Sequence, residues 1–143
     1  MELKVNVIAV LVAVVANFFL GALWYMPLFG KLWAKEHGFD MTVKPGAGVM
    51  AKGMIFMVIG NFFFAWVFAH NIAAWSFVPH MNEMSKVASA MSAAIFTWLG
   101  FYFPGLLGST VWERKSWTLF FIDGGYNLIA LILVACILIY WPA

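Results

Sequence analysis

The chain has 143 residues, of which 65% are hydrophobic and only 10% are charged, and its formal net charge is +2. A soluble domain carries about 25% charged residues, so this composition indicates a chain whose solvent is lipid. The small net charge and the scattered basic residues argue against nucleic acid as a partner. A single cysteine, Cys136, excludes an intramolecular disulfide and a cysteine-cluster metal site.

Four apolar segments are long enough to cross a membrane, which requires about 20 residues per helix. They are predicted to be helices, because backbone groups in lipid need hydrogen-bond partners within their own segment. The expected fold is all-α, a polytopic membrane protein with a bundle of four transmembrane helices in one domain, residues 1–143. The first segment is expected to be a retained helix and not a signal peptide. The spans are expected at about residues 5–26, 53–75, 87–110 and 117–140.

The longest loop follows the first span and begins with an aromatic and basic stretch, residues 28–37. This stretch is predicted to form a short interfacial helix along the membrane surface. Its lipid-facing side is expected to consist of Leu28, Phe29, Leu32 and Trp33. Gly38 is expected to end it.

Aromatic side chains with a polar atom favour the level of the lipid head groups. Those near the span ends at the first and third loops are therefore expected to anchor the protein at that interface: Trp24, Tyr25, Trp33, Trp112 and Trp117. Other aromatic residues lie deeper and carry a donor that is costly to leave unpaired in hydrocarbon. They are expected to point into the bundle: Trp66, Trp98, Tyr102 and Tyr126.

Lysine and arginine are enriched in loops on the cytoplasmic side of a membrane. The first and third loops hold six basic residues, whereas the termini and the second loop hold two. This asymmetry predicts cytoplasmic first and third loops and places both termini outside. The six are Lys31, Lys35, Lys44, Lys52, Arg114 and Lys115, and the two are Lys4 and Lys86.

All four predicted spans place a polar side chain at a similar depth, in the inner half of the bilayer. Such a layer is either a ligand pocket or solute path, or a set of interhelical hydrogen bonds worth about 0.6 kcal/mol each. Both interpretations stay open. The residues of the layer are Asn17, Asn61, Tyr102, Asp123 and Asn127.

Asp123 is the strongest single candidate in this layer, since an acid within a span costs about 2.5–3.5 kcal/mol on insertion scales. It is expected to face the bundle with a partner, where it could carry a proton. The alternative is a shallow position near Trp117, with hydrogen bonds from Tyr126 or from an amide of the first helix. Pro104 removes a backbone hydrogen bond and is expected to kink the third helix beside the layer.

Two aromatic stretches carry a resemblance to a known family. The first is Asn17-Phe18 followed by Ala22-Leu23-Trp24-Tyr25-x-Pro27-Leu28-Phe29-Gly30-Lys31-x-Trp33. The second is Trp112-Glu113-Arg114-Lys115-Ser116-Trp117 followed by Phe120 and Gly125-Tyr126. Together they resemble, over nearly the whole chain, small bacterial membrane proteins catalogued as domain of unknown function 1761. The resemblance implies a bacterial inner-membrane protein with four helices and no assigned activity, and it carries over no catalytic residue.

The sequence offers little catalytic material, since six acids and three histidines are spread over the whole chain. We expect a non-enzymatic, oligomeric membrane module that binds a small ligand or lipid, or conducts a solute or proton, through the polar layer. The alternative is a structural or accessory subunit of a larger membrane complex. A third hypothesis is a membrane enzyme that uses Asp123, or His70 with Glu83. His80 and Glu83 have the spacing of metal ligands on a helix, but two ligands do not make a site, and the sequence names no cofactor.

Overall fold

The computed structural model describes residues 2–141 of the chain. This described part contains helices, turns and no strand, and four helical segments are long and apolar enough to cross a membrane. The predicted all-α fold with four membrane helices is confirmed. The four segments are Val7–Leu28, Ala47–Trp75, Lys86–Trp112 and Trp117–Tyr140.

Six α-helices make up these segments and the first loop. In chain order they are α1 (Val7–Leu23), α2 (Gly30–His37), α3 (Ala47–Trp75), α4 (Lys86–Thr97), α5 (Phe103–Trp112) and α6 (Trp117–Tyr140). Two π-helical turns, Trp24–Leu28 and Trp98–Tyr102, continue α1 and join α4 to α5, and a 3₁₀ turn, Met81–Glu83, lies in the second loop. We call the end of the bundle that carries α2 and the turn at residues 113–116 the α2 end.

Local signals explain where several helices begin and end. The Asn6 side chain accepts hydrogen bonds from two backbone N–H groups of the first turn of α1, and Ser85 and Ser116 each accept one at the start of α4 and α6. These side chains satisfy donors that the first turn of a helix leaves unpaired. Gly38 ends α2 in the left-handed conformation, with φ of 71°, as the sequence predicts.

Both helix-disrupting prolines are accommodated by a π-helical turn. Proline lacks an N–H group and its ring collides with the carbonyl four residues earlier, and a π turn relieves this by hydrogen bonds that span five residues. At Pro27, the Phe29 N–H donates to the Trp24 carbonyl at 2.8 Å. Before Pro104, the Trp98 carbonyl accepts in the same pattern. The expected distortion at Pro104 is therefore a π turn, and a second one occurs at Pro27.

The helices pack tightly at one end of the bundle and diverge at the other. α6 lies between α1 and α4, and α3 packs mainly against α1. The buried core lies in the half away from α2, where alanines such as Ala13, Ala65, Ala94 and Ala135 let the helices approach closely. Towards the α2 end α3 separates from the other helices, since every residue from 47 to 60 is exposed, whereas α6 stays packed there with Leu119 and Ile122 buried.

The start of α2 folds back against the end of α1. A Cβ atom at Gly30 would collide with the Tyr25 carbonyl oxygen, so this tight turn requires glycine. As a result the Phe29 ring lies 4.8 Å from that of Trp24, and the Trp33 ring lies 6.0 Å from that of Tyr25. Phe29 and Trp33 are half-buried and their rings contact the end of α1, and their position on the lipid-facing side of α2 stays a prediction.

Three of the four deep aromatic residues are half-buried in the bundle, as expected: Trp98, Tyr102 and Tyr126. Trp66 is the exception, with 43% of its surface exposed and its ring stacked on Phe62. The expectation was wrong for Trp66 because α3 packs on the bundle with one face only, and Trp66 lies on another.

Candidate functional site

Three polar side chains from α1, α3 and α6 form a hydrogen-bonded network inside the bundle. Asn17 Nδ2 donates to Asn61 Oδ1 at 2.6 Å, and both residues are buried. The Tyr126 hydroxyl donates to Asn17 Oδ1 at 3.4 Å. Gly21 makes room for this hydroxyl, since a Cβ atom there would lie 3.2 Å from it. The network ties α1 to both of its neighbours.

A cavity of about 150 Å³ lies beside this network, where the helices begin to diverge. Its apolar lining comes from Met57, Phe64 and Ala130. Its polar lining consists of Asn17, Asn61, Tyr102, Tyr126 and Asn127. The structure thus brings together four of the five predicted layer residues, all except Asp123.

One donor in the cavity wall has no partner. Asn61 Nδ2 is buried and makes no hydrogen bond within the described part of the chain. Leaving a buried donor unpaired costs about 1–3 kcal/mol, and buried polar groups are normally paired. The cavity therefore has a polar group available for a molecule that occupies it.

The network lies near the middle of the spans, deeper than the sequence indicated. Asn61 is the fifteenth of the 29 residues of α3, and Asn17 is the eleventh of 22 in Val7–Leu28. With a rise of 1.5 Å per residue, each lies about 15 Å or more from either end of its helix. The depth of Asn61 differs from the expected depth because α3 begins at Ala47, six residues before its expected start.

Asp123 occupies a separate position nearer the α2 end. It is the seventh residue of α6, and its Oδ1 accepts a hydrogen bond from the Tyr25 hydroxyl at 2.7 Å. Of the two interpretations of Asp123 from the sequence, the shallow position agrees better with the structure. The hydrogen-bond donor, however, is Tyr25 and not Tyr126 or an amide. The Tyr25 ring in turn packs edge-on against the Tyr126 ring at 5.1 Å.

Replacing Tyr25 by phenylalanine is expected to lower the free energy of unfolding by about 0.6–1.7 kcal/mol, the average and upper values for interhelical hydrogen bonds in a membrane protein. The ring contacts stay, and only the hydroxyl that Asp123 accepts from is removed. Tyr140→Phe is the matched control, because Tyr140 is exposed and contributes its ring to Lys86. Unfolding in mixed micelles would measure both, and equal losses would contradict the assignment.

Trp24 and Trp98 each donate a side-chain hydrogen bond to a backbone carbonyl of α6. The sequence interpretation missed both contacts. Trp24 Nε1 donates to the Ile122 carbonyl at 3.0 Å, and Trp98 Nε1 donates to the Gly124 carbonyl at 2.9 Å. The adjacent glycines of α6 make room, since a Cβ atom at Gly125 would lie 3.2 Å from the Trp24 ring. The signal was the paired glycine within an apolar span, together with a proline three residues after Trp24 and six residues after Trp98.

The predicted interface anchors differ in their surroundings. Trp112 and Trp117 are exposed at the α2 end, with 85% and 56% of their surfaces accessible. Trp24, Tyr25 and Trp33 are half-buried and contact the protein. An anchoring role for all five stays a prediction, and for Trp24 and Tyr25 a structural role in the bundle is added to it.

The remaining polar candidates lie outside this region. His70 Nδ1 is 2.8 Å from the Trp66 carbonyl, and His80 Nδ1 is 3.3 Å from Glu83 Oε2 in an exposed pair. Among residues 2–141, no group of three or more potential metal-ligating acids, histidines or cysteines comes together. These residues do not extend the cavity.

Comparison with known proteins finds one family. The family model described as "Protein of unknown function (DUF1761)" matches residues 8–139. No curated protein and no solved structure matches the chain. The match covers all four membrane helices, the cavity and both tryptophan contacts.

Proposed function

The chain belongs to the DUF1761 family, whose function is unknown, and we propose that it is a non-enzymatic membrane protein that binds a small ligand in the mid-membrane cavity. The ligand would contact the polar wall that Asn17, Asn61, Tyr102 and Asn127 provide. The proposal includes passage of the same molecule across the membrane, since a binding site near the midplane is typical of membrane transporters.

The unpaired Asn61 donor is the observation that carries the proposal. A purely structural layer would be expected to satisfy its own polar groups, because an unpaired group in hydrocarbon has no water to compensate it. Within residues 2–141, Asn61 Nδ2 instead has no hydrogen-bond partner, and it lies at a cavity. Asp123 does not line this cavity and is bonded to Tyr25, so the proposal assigns it no role in binding.

Thermal unfolding in lipid nanodiscs tests the proposal with a set of small polar molecules, charged and uncharged. A ligand at 100 times its Kd stabilises the folded state by about 2.7 kcal/mol, which gives a clear and saturable rise in Tm. The rise should disappear in Asn127→Leu and persist in Asn71→Leu, since Asn71 is exposed elsewhere on α3. A set that produces no such rise would count against ligand binding.

We further propose the bacterial cytoplasmic membrane as the location, with the α2 end in the cytoplasm and both termini outside. The basic residues of the first and third loops support this orientation. Labelling of single cysteines in intact cells would test it, with one cysteine in the second loop and another at residues 113–116, in a Cys136→Ala background. The second-loop cysteine should react with a membrane-impermeant reagent and the other should not.

An interaction with other subunits is the second candidate, and the exposure of two helices favours it. Within an apolar 18-residue stretch of each span, 11% of residues are buried in Lys86–Trp112 and 22% in Ala47–Trp75, against 33% in Trp117–Tyr140. In a membrane such faces contact lipid chains, a second copy of this chain or a partner protein. Purification in mild detergent distinguishes the two, since a stoichiometric unrelated protein indicates an accessory subunit and a defined multiple of this chain indicates a homo-oligomer.

A further inference from the structure

The cavity wall presents several hydrogen-bonding groups that the protein itself does not use. Asn61 Nδ2 is an unpaired donor. The Tyr102 hydroxyl and the Asn127 carboxamide also line the cavity, and neither is hydrogen-bonded to another residue within the described chain. Each of these two groups can both donate and accept. A molecule that satisfies all three must therefore carry at least one acceptor oxygen for Asn61 and a further polar group.

The wall contains no compensating charge. All the described residues that line the cavity are amides, phenols or apolar side chains, and the nearest carboxylate along α6, Asp123, is bonded to Tyr25. Moving an ion into a low-dielectric site is strongly unfavourable without a partner of opposite charge. Uncharged hydrogen-bonding molecules meet no such barrier. The site therefore favours a neutral occupant.

The volume and depth of the cavity further limit the size and type of molecule that can bind there. A volume of about 150 Å³ is well above what a single water molecule requires and is small for a drug-sized ligand. Asn61 lies at the middle of α3, about 15 Å from the surface of a 30 Å hydrocarbon core. Lipid head groups lie at that surface, out of reach of the site. A small water-soluble molecule is compatible with both the volume of the cavity and its distance from the lipid head groups.

We infer that this cavity is a binding site for small uncharged molecules of the amide and polyol class, whose oxygen accepts a hydrogen bond from Asn61 Nδ2. The inference rests on the proposed function and specifies the ligand class for the same site. Tyr102 and Asn127 would hold the remaining polar atoms, while Met57 and Phe64 contact the carbon atoms.

Three probes of nearly equal size and shape test the choice of class: acetamide, acetate and acetamidinium. Their charges are zero, negative and positive respectively, and among the two ions only acetate can accept a hydrogen bond from Asn61 Nδ2. The full chain in lipid nanodiscs is titrated with each to about 100 mM, and the side-chain amide resonance of Asn61 is followed by NMR. We expect a saturable shift with acetamide, and binding at least ten-fold weaker for the two ions.

Variants separate the possible outcomes. The acetamide shift should weaken at least ten-fold in Asn127→Leu, which removes a wall residue without breaking a hydrogen bond within residues 2–141, and should persist in Asn71→Leu. Binding of acetate or acetamidinium as tight as that of acetamide would overturn the ligand class and leave the proposed site standing. No saturable shift at Asn61 with any probe would overturn the inference. A Tm rise with another molecule that depends on Asn127 would still support the proposed function.

Discussion

Replacing Gly125 by leucine is expected to lower the free energy of unfolding by about 1–3 kcal/mol, the usual cost of forcing extra methylene groups into a packed contact. A Cβ atom at Gly125 would already lie 3.2 Å from Cζ2 of Trp24. The indole cannot retreat freely, because its Nε1 donates to the Ile122 carbonyl. Either the ring or α6 must move, and the loss would appear in reversible unfolding in mixed micelles, followed by circular dichroism.

Gly60→Leu is the matched control, since a Cβ atom at Gly60 has no described atom within 4 Å. Leucine is the better helix former by up to about 1 kcal/mol, so this variant should keep or gain stability. Adding Trp24→Ala to Gly125→Leu should recover part of the loss, because the added side chain then has room. If both glycine variants lose the same stability, or if Trp24→Ala gives no recovery, the packing of Trp24 against α6 does not explain Gly125.

Features that depend on one stretch of chain were predictable from the sequence. The four membrane helices follow from the length and apolar character of each segment, and Gly38 and Pro104 act on their immediate neighbours. The start of α3 was harder, because Lys52 and two glycines interrupt the apolar pattern. Lys52 stays within the helix with its ammonium 6.0 Å from the Phe56 ring, and a long aliphatic stem allows a lysine to do this near a membrane surface.

The polar layer was predicted from depth alone, and depth cannot identify partners. It grouped Asn17, Asn61, Tyr102 and Asn127 correctly around one cavity. It also included Asp123, whose partner Tyr25 lies in the π turn at Pro27. A π turn changes the direction of the side chains within it relative to a regular α-helix. The Tyr25–Asp123 contact therefore depends on the π turn that follows α1 and on the packing of this segment against α6. Hydrophobic periodicity indicates neither of these.

The Asn17–Asn61 pair provides the second large expected effect, measured as a double-mutant cycle. Asn17→Leu leaves Asn61 Oδ1 without its donor and the Tyr126 hydroxyl without its acceptor. An unpaired buried polar group costs about 1–3 kcal/mol. Asn61 is buried whereas Tyr126 is only half-buried, so we expect a loss of unfolding free energy in that range. Asn71→Leu, an exposed substitution on α3, should change it by less than about 0.5 kcal/mol.

The double variant decides whether the two amides act as a unit. Replacing both partners of a buried hydrogen bond by apolar groups is often nearly neutral, because neither amide is left unpaired; only the Tyr126 hydroxyl still lacks its acceptor. Asn17→Leu combined with Asn61→Leu should therefore cost less than the sum of the single variants, by about 0.5 kcal/mol or more. It also removes the Asn61 donor, so the proposed binding of acetamide should be lost while the bundle keeps most of its stability. Additive losses would mean that the 2.6 Å hydrogen bond contributes little to holding α1 against α3.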